Sequence, residues 1–153
     1  MFKFCDGGRE ESGYKGFTGD CVVRSIAVAT GISYKKVYNE LFIRAKDFSK
    51  GRCKVAKEIK KKGASPRNGV HKKVYEKYLF DLGFEWVSKM KIGSGCTVHL
   101  KKDELPSGKI IVSLSKHLAT VIDGILYDTY DCSRNGTRCV YGYYILKERI
   151  KTW

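Results

Sequence analysis

The sequence predicts an α+β fold, with a mainly helical first half packed on an antiparallel sheet formed by the second half. Three observations predict it. Apolar residues recur with a helical period from Cys21 to Leu82, the period becomes strand-like after Gly83, and Asp123-Gly124 between two apolar runs is a strong hairpin signal. The 153 residues, 42% hydrophobic and with only two prolines, suit one globular domain. That domain spans 1–153, helical over about 20–83 and sheet over about 84–148.

The run Cys21 to Thr30 is rich in β-branched residues, yet its punctuation is that of a helix. Asp20 is a good N-cap whose side chain is expected to cap backbone N–H groups, and Gly31 is a good residue just past the C-terminus. Val22, Val23, Ile26, Ala27 and Ala29 wrap most of the surface, which predicts a buried central helix. Ser33 caps a second helix with an apolar face of Val37, Tyr38, Leu41 and Phe42. The basic stretch that follows reads equally as a Lys-rich solvated helix face or as loop. Beyond the breaker cluster Ala64 to Gly69, a helix is marked by Val70, Val74, Tyr75, Tyr78, Leu79 and Leu82 and ends at Gly83.

Candidate strands then run over 84–90, 97–100, 109–115, 117–122, 125–130 and 140–146. Pro106-Ser107-Gly108 is a turn, and Asp123-Gly124 closes a two-residue hairpin loop. That loop pairs Ile122 with Ile125 and places Ala119 opposite Asp128. His117 is then on the same sheet face as Asp128 and diagonal to it, within reach for an imidazole–carboxylate hydrogen bond.

The N-terminal stretch Met1 to Tyr14 holds no signal-like apolar run, and no segment approaches the roughly 18 apolar residues of a membrane span. A soluble, cytoplasmic protein without membrane contact is expected. Its six cysteines are accordingly read as reduced thiols, with Cys132 and Cys139 as neighbours across a hairpin and as an oxidisable pair that the fold does not require. There is no CxxC or HxxxH spacing, so neither a metal nor another cofactor is expected.

The formal net charge is +14, and it is unevenly spread. Between Lys50 and Lys73 ten Lys or Arg stand against the single acid Glu58. Lys50, Arg52, Lys54, Lys57, Lys60, Lys61, Lys62 and Arg67 are therefore candidates for contact with nucleic acid or an acidic protein. Aromatic residues suited to base stacking are absent from that window, and a solvated helix face explains the same pattern.

A cysteine at a helix start and a histidine oriented by a carboxylate are the parts of a thiol nucleophile site. Cys21 is the candidate nucleophile, its pKa lowered by the helix N-terminus. His117 is the candidate base, and Asp128 fixes its tautomer and stabilises its cation. Asp123 belongs to the turn, and Asp131 falls on the opposite sheet face from Asp128. His71 and His99 read as capping or solvated residues. Arg24 is either a snorkelling residue or a buried partner for an acid, and Tyr127, Tyr130, Tyr141, Tyr143 and Tyr144 read as sheet packing.

The stretch Gly19-Asp20-Cys21-Val22-Val23-Arg24-Ser25-Ile26-Ala27, with His117 and Asp128-Thr129-Tyr130-Asp131 following in that order, resembles the papain-like cysteine peptidase superfamily. It is similar in particular to small phage and bacterial proteins with papain-like folds. The resemblance implies a central nucleophile helix packed on a C-terminal sheet, with Cys21 as nucleophile, His117 as general base and acid, and Asp128 as orienting residue. It implies a phage-encoded hydrolase of the peptidase or amidase type, acting on a peptide or protein of the host through a thioester. Such families often carry a Gln or Asn before the nucleophile, and this chain has no Gln. Ser12, Tyr14 and Thr18 are the upstream oxyanion candidates, with the backbone N–H of Cys21 as the second donor. The alternative is a small basic binding protein whose papain-like fold is not catalytic.

Overall fold

A computed structural model describes residues 1–14, 19–91 and 93–146. Strand β1 (Phe2–Phe4) precedes helices α1 (Cys21–Thr30), α2 (Tyr34–Phe48), α3 (Lys54–Lys62) and α4 (Lys72–Asp81). Five strands follow: β2 (Phe84–Ser88), β3 (Lys109–Leu114), β4 (His117–Ile122), β5 (Ile125–Asp128) and β6 (Gly142–Leu146). The result is an α+β molecule, helical first and sheet second, as the change of period predicts. None of the described helices is long and apolar enough to cross a membrane.

Helix α1 is the buried element its composition requires, with Val22, Val23, Ile26, Ala27 and Ala29 all in the core. Gly31 ends it in the left-handed conformation, and its N–H bonds the Ala27 carbonyl. Ser33 caps α2 by accepting a hydrogen bond from the Lys36 N–H. The buried face of α2 is Tyr34, Val37, Leu41 and Ala45, so Phe42, expected in that face, is instead partly exposed. The basic stretch contains a true helix, α3, whose Ala56 and Ile59 are buried and whose N-terminus is capped by the Cys53 sulfur.

The six strands form one sheet in the order β1-β5-β4-β3-β6-β2. All neighbours are antiparallel except β1, which pairs parallel to β5. The sheet is therefore mixed, which corrects the wholly antiparallel expectation. Phe2-Lys3-Phe4 is too short and too exposed to give a periodic signal. The expected strand at 97–100 reduces to a single bridge between His99 and Cys139. Between β4 and β5, Ile122 faces Ile125 and Thr120 faces Tyr127, the register expected of a two-residue loop. Asp123 and Gly124 both have positive φ, at 50° and 80°, as a type I′ turn demands.

One sheet face, through Phe84, Ile111, Leu118 and Tyr144, packs with α1, α2 and α4. The other carries Ile110, Val112, Ala119, Val121 and Leu126 and is covered by Leu100, Cys132 and Val140 from the loops. A small cluster of Ala45, Ile59 and Val74 fastens α3 to its neighbours. Cys96 and Cys139 form a disulfide across those loops, while Cys5, Cys21, Cys53 and Cys132 are free. This corrects the expectation that all thiols are reduced, and it makes Cys96, not Cys132, the oxidised partner of Cys139. The bridge from His99 to Cys139 draws the 96 and 139 backbones together, and sequence spacing carries no trace of that.

Candidate active site

Strands β4 and β5 are antiparallel, so the start of one and the end of the other share an end of the sheet. His117 opens β4 and Asp128 closes β5. Helix α1 packs against β4 and begins with Cys21 at that same end. Three chain segments thus bring Cys21, His117 and Asp128 together.

The His117 Nε2 lies 2.6 Å from the Asp128 Oδ2. The ring also interacts with the sulfurs of Cys21 and Cys132. Burial works against the imidazolium, but the hydrogen bonds to Asp128, Cys132 and Cys21 and the charge of Cys21 outweigh it. The His117 pKa is pushed up to about 11. Burial works against the charged form of Cys21 too, and for a thiol that would raise the pKa. The His117 hydrogen bond, the Leu118 backbone N–H, and the charges of His117 and Arg24 overcome it and lower that pKa. Both shifts favour one resting form, a thiolate beside an imidazolium.

Asp128 is held by more than the histidine. It is 2% exposed, and its Oδ1 accepts from the Arg24 Nη1 at 2.6 Å and from the Thr129 N–H at 2.7 Å. Arg24 also donates from Nε to the Asp20 Oδ1 at 3.0 Å and from Nη1 to the Thr129 hydroxyl at 3.1 Å. Asp20 is fully buried and accepts further bonds from Arg9 and from the Tyr34 hydroxyl, the latter at 2.6 Å. Burial opposes the charge of each aspartate, yet these donors hold both carboxyls below their ordinary pKa. Arg24 is therefore the buried partner of two acids, which decides the choice that the sequence leaves open.

Asp20 precedes α1 as the N-cap but makes no side-chain capping bond. Its carboxylate turns to Arg9, Arg24 and Tyr34 instead of to the helix N–H groups, contrary to expectation. The consequence is chemical. The first-turn N–H groups of α1 are not covered by that carboxylate, and they face the end of the helix where Cys21 sits.

Cys21 and His117 line a cleft of about 730 Å³, together with Leu114, Val70, Tyr75 and Tyr130. The Tyr130 ring lies 5.6 Å from that of His117 and is half exposed. Tyr130 stands beyond the end of β5 as a wall of the site, not in the sheet packing its composition predicts.

The upstream oxyanion candidates fare differently. The Tyr14 ring packs against Tyr34 and Tyr38, with the Arg67 guanidinium over it, and Ser12 lines a separate cavity beside Gly31 and Tyr34. Neither lines the cleft, because the segment carrying them folds against α2. Thr18 lies outside the described residues. The backbone N–H of Cys21 is the donor from that set that stands at the site.

Lys50, Arg52, Lys54, Lys57, Lys60, Lys61 and Lys62 are exposed on and around α3, whereas Arg67 is half-buried against Tyr14. His71 caps α4, accepting from the Lys73 N–H, and His99 pairs with Glu104, so both stand apart from Cys21. The sequence reading missed Cys132, whose sulfur lies with a His117 nitrogen and an Asp128 oxygen within 4.8 Å of one another. Among the described residues this is the one cluster of metal-ligating side chains. The Asp128 Oδ2 already bonds the His117 Nε2 and its Oδ1 bonds Arg24, so a cation held by His117 and Asp128 would have to break the bond between them. No protein-family model matches the chain, and comparison with curated proteins and with solved structures gives no match.

Proposed function

We propose that this protein is a papain-like thiol hydrolase of the peptidase or amidase type, with Cys21, His117 and Asp128 as its triad. The observation that carries the reading is the 2.6 Å bond from His117 to Asp128, on a ring that lines one cleft with Cys21 and helps to lower the pKa of that thiol at a helix N-terminus. Held by a buried carboxylate, the imidazole interacts with the thiol and lines the same cleft.

The Cys21 thiolate attacks the carbonyl carbon of an amide or ester, and the carbonyl π pair moves to oxygen. The Cys21 N–H at the start of α1 faces that oxyanion, and the helix dipole favours its charge. When the tetrahedral species collapses, the C–N or C–O bond breaks and His117 gives its proton to the leaving group. A thioester remains. Neutral His117 then takes a proton from water as the hydroxide attacks the thioester carbon, and the Cys21 thiolate leaves with the acid as product. Asp128 keeps the ring oriented and stabilises each imidazolium, and Arg24 keeps Asp128 ionised.

Alkylation with iodoacetamide, read by peptide mass spectrometry, tests the thiol. Near neutral pH Cys21 is expected to react well before Cys5 and Cys53, and Cys21→Ala to lose the fast phase while keeping the fold. Equal reaction of that variant, or a Cys21 no faster than Cys53, rejects the reading. A panel of acyl esters and peptide amides, with release of the amine or alcohol as signal, then tests the hydrolysis.

A further inference from the structure

The lining of the cleft is one-sided in charge. Arg9, Arg24, Lys72 and Lys116 all contribute to it, and among the described residues no carboxylate does. The two arginines are committed to Asp20 and Asp128. The two lysines are not so bound. Lys116 is exposed in the turn between β3 and β4, immediately before His117, with φ of 54°. It makes no ion pair among the described residues. Lys72, at the start of α4, is more than half exposed, meets Glu76 only at 3.8 Å, and lies over the Trp86 ring.

The cleft also has a continuation. Gly69 and Val70 form part of its wall and part of a second cavity of about 350 Å³, which Ile59, Lys62 and His71 line with a single acid, Glu58. Gly69 lacks a side chain where one would meet the Lys62 Nζ at 3.4 Å. Helix α3 therefore borders the second cavity with its basic C-terminal end, across Gly69 from the cleft, and Lys54, Lys57, Lys60 and Lys61 extend the exposed charge along it.

We infer that the cleft takes an acidic polypeptide, whose carboxylates Lys116 and Lys72 receive at the β4 and α4 walls and whose chain continues past Gly69 toward the basic face of α3. This rests on the thiol hydrolase reading only for the bond that is cleaved. Charge complementarity selects the occupant: with both arginines neutralised by Asp20 and Asp128, the exposed Lys72 and Lys116 remain, no acid stands among the described lining residues, and such a site repels basic segments and gathers acidic ones. Leu114, Val70, Tyr75 and Tyr130 give its apolar residues a surface. Nucleic acid is the less suitable polyanion, because α3 carries no aromatic side chain on which a base would stack.

Binding to the Cys21→Ala protein separates the two ideas, since it needs no reactive thiol. The probes are fluorescein-labelled peptides of equal length with alternating Glu and Leu, Gln and Leu, or Lys and Leu, followed by anisotropy. The Glu peptide is expected to bind at least about tenfold more tightly than the other two and to weaken as salt rises. Lys72→Glu with Lys116→Glu should weaken it about tenfold. Lys57→Glu with Lys61→Glu should weaken it less, with circular dichroism confirming the fold in each case. Equal binding of the three peptides, or indifference to the Lys72 and Lys116 reversals, overturns the inference. So does a single-stranded oligonucleotide that displaces the Glu peptide at lower charge-equivalent concentration than unlabelled Glu peptide does. If the Glu peptide binds as stated while Cys21 shows no enhanced alkylation, the acidic groove stands and the hydrolase reading falls.

Discussion

At the meeting of α1 with β4 and β5, Arg24, Asp20, Asp128 and His117 are packed against one another and almost closed to solvent. On α3, Lys54, Lys57, Lys60, Lys61 and Lys62 stand in water and make no ion pair among the described residues. Both regions are rich in charge, but the physics differs. In the first, each charge exists only because its partner is fixed beside it, so removing one member strands another in a poor solvent for ions. In the second, water already satisfies every charge, and what remains is a field that salt screens over a Debye length. The buried group sets protonation states, and the exposed group sets which molecules approach.

The largest effect that separates the regions should come from Arg24→Met. It leaves Asp20 and Asp128 buried with much of their cationic support gone, at a cost of about 3–5 kcal/mol in urea unfolding. Adding Asp128→Asn to that variant should recover part of the loss, because one stranded carboxylate is removed. A cost below about 1 kcal/mol would place the network among ordinary surface ion pairs.

Next in size is Asp128→Asn alone, which keeps the shape near His117 and removes the charge. The imidazolium loses its first supporting partner, and the Cys21 pKa rises toward its ordinary value. Cys21 alkylation near neutral pH should fall by about tenfold or more, one pKa unit corresponding to a factor of ten in thiolate. An unchanged pH profile of alkylation would mean that Asp128 does not act through His117.

The pH dependence of stability should be smaller and confined to one window. His117 has a raised pKa, so its contribution is complete below the unfolded value of 6.5 and is lost as pH rises through about 11. Cys21 has a lowered pKa, so its contribution is complete above 9.0 and is lost as pH falls through its folded value. Between those limits the two slopes oppose each other. From 9.0 to about 11 only the His117 slope remains, and stability should decline there. In Cys21→Ala the decline should begin at lower pH, because the opposing slope is gone. Coincident melting-temperature profiles for the two proteins would refute the ion pair.

The smallest effect should be that of Lys57→Ala on α3, within about 0.5 kcal/mol and indifferent to pH near neutrality. A thermal melt at low and high salt checks it. A larger loss would show that this lysine is part of the fold and not of its field.

Much of the site was legible because local chemistry dictates it. Asp123-Gly124 permits positive φ at both turn positions, and that turn fixes the register placing His117 near Asp128. Gly31 and Ser33 bound α1 and α2 as their cap chemistry requires. Helix α3 was not distinguishable from loop, since a nine-residue run with five lysines has only Val55, Ala56 and Ile59 to mark a face. The capping role expected of Asp20 failed for a related reason. A carboxylate at an N-cap bonds the helix N–H groups unless stronger donors reach it, and Arg9, Arg24 and Tyr34 do.

The sequence by itself determined the α+β division, the start and end of α1, and the hairpin that sets His117 beside Asp128, because turns, caps and periodicity act over a few residues. Only the tertiary structure decided that Arg24 joins Asp20 to Asp128, that Cys132 stands beside His117 and Asp128, that β1 adds a parallel edge, and that Cys139 bonds Cys96. Apart from Arg24 with Asp20, four residues away, those pairings join segments that are not neighbours in the chain. They arise from how packed elements meet, and no local preference of either partner encodes them.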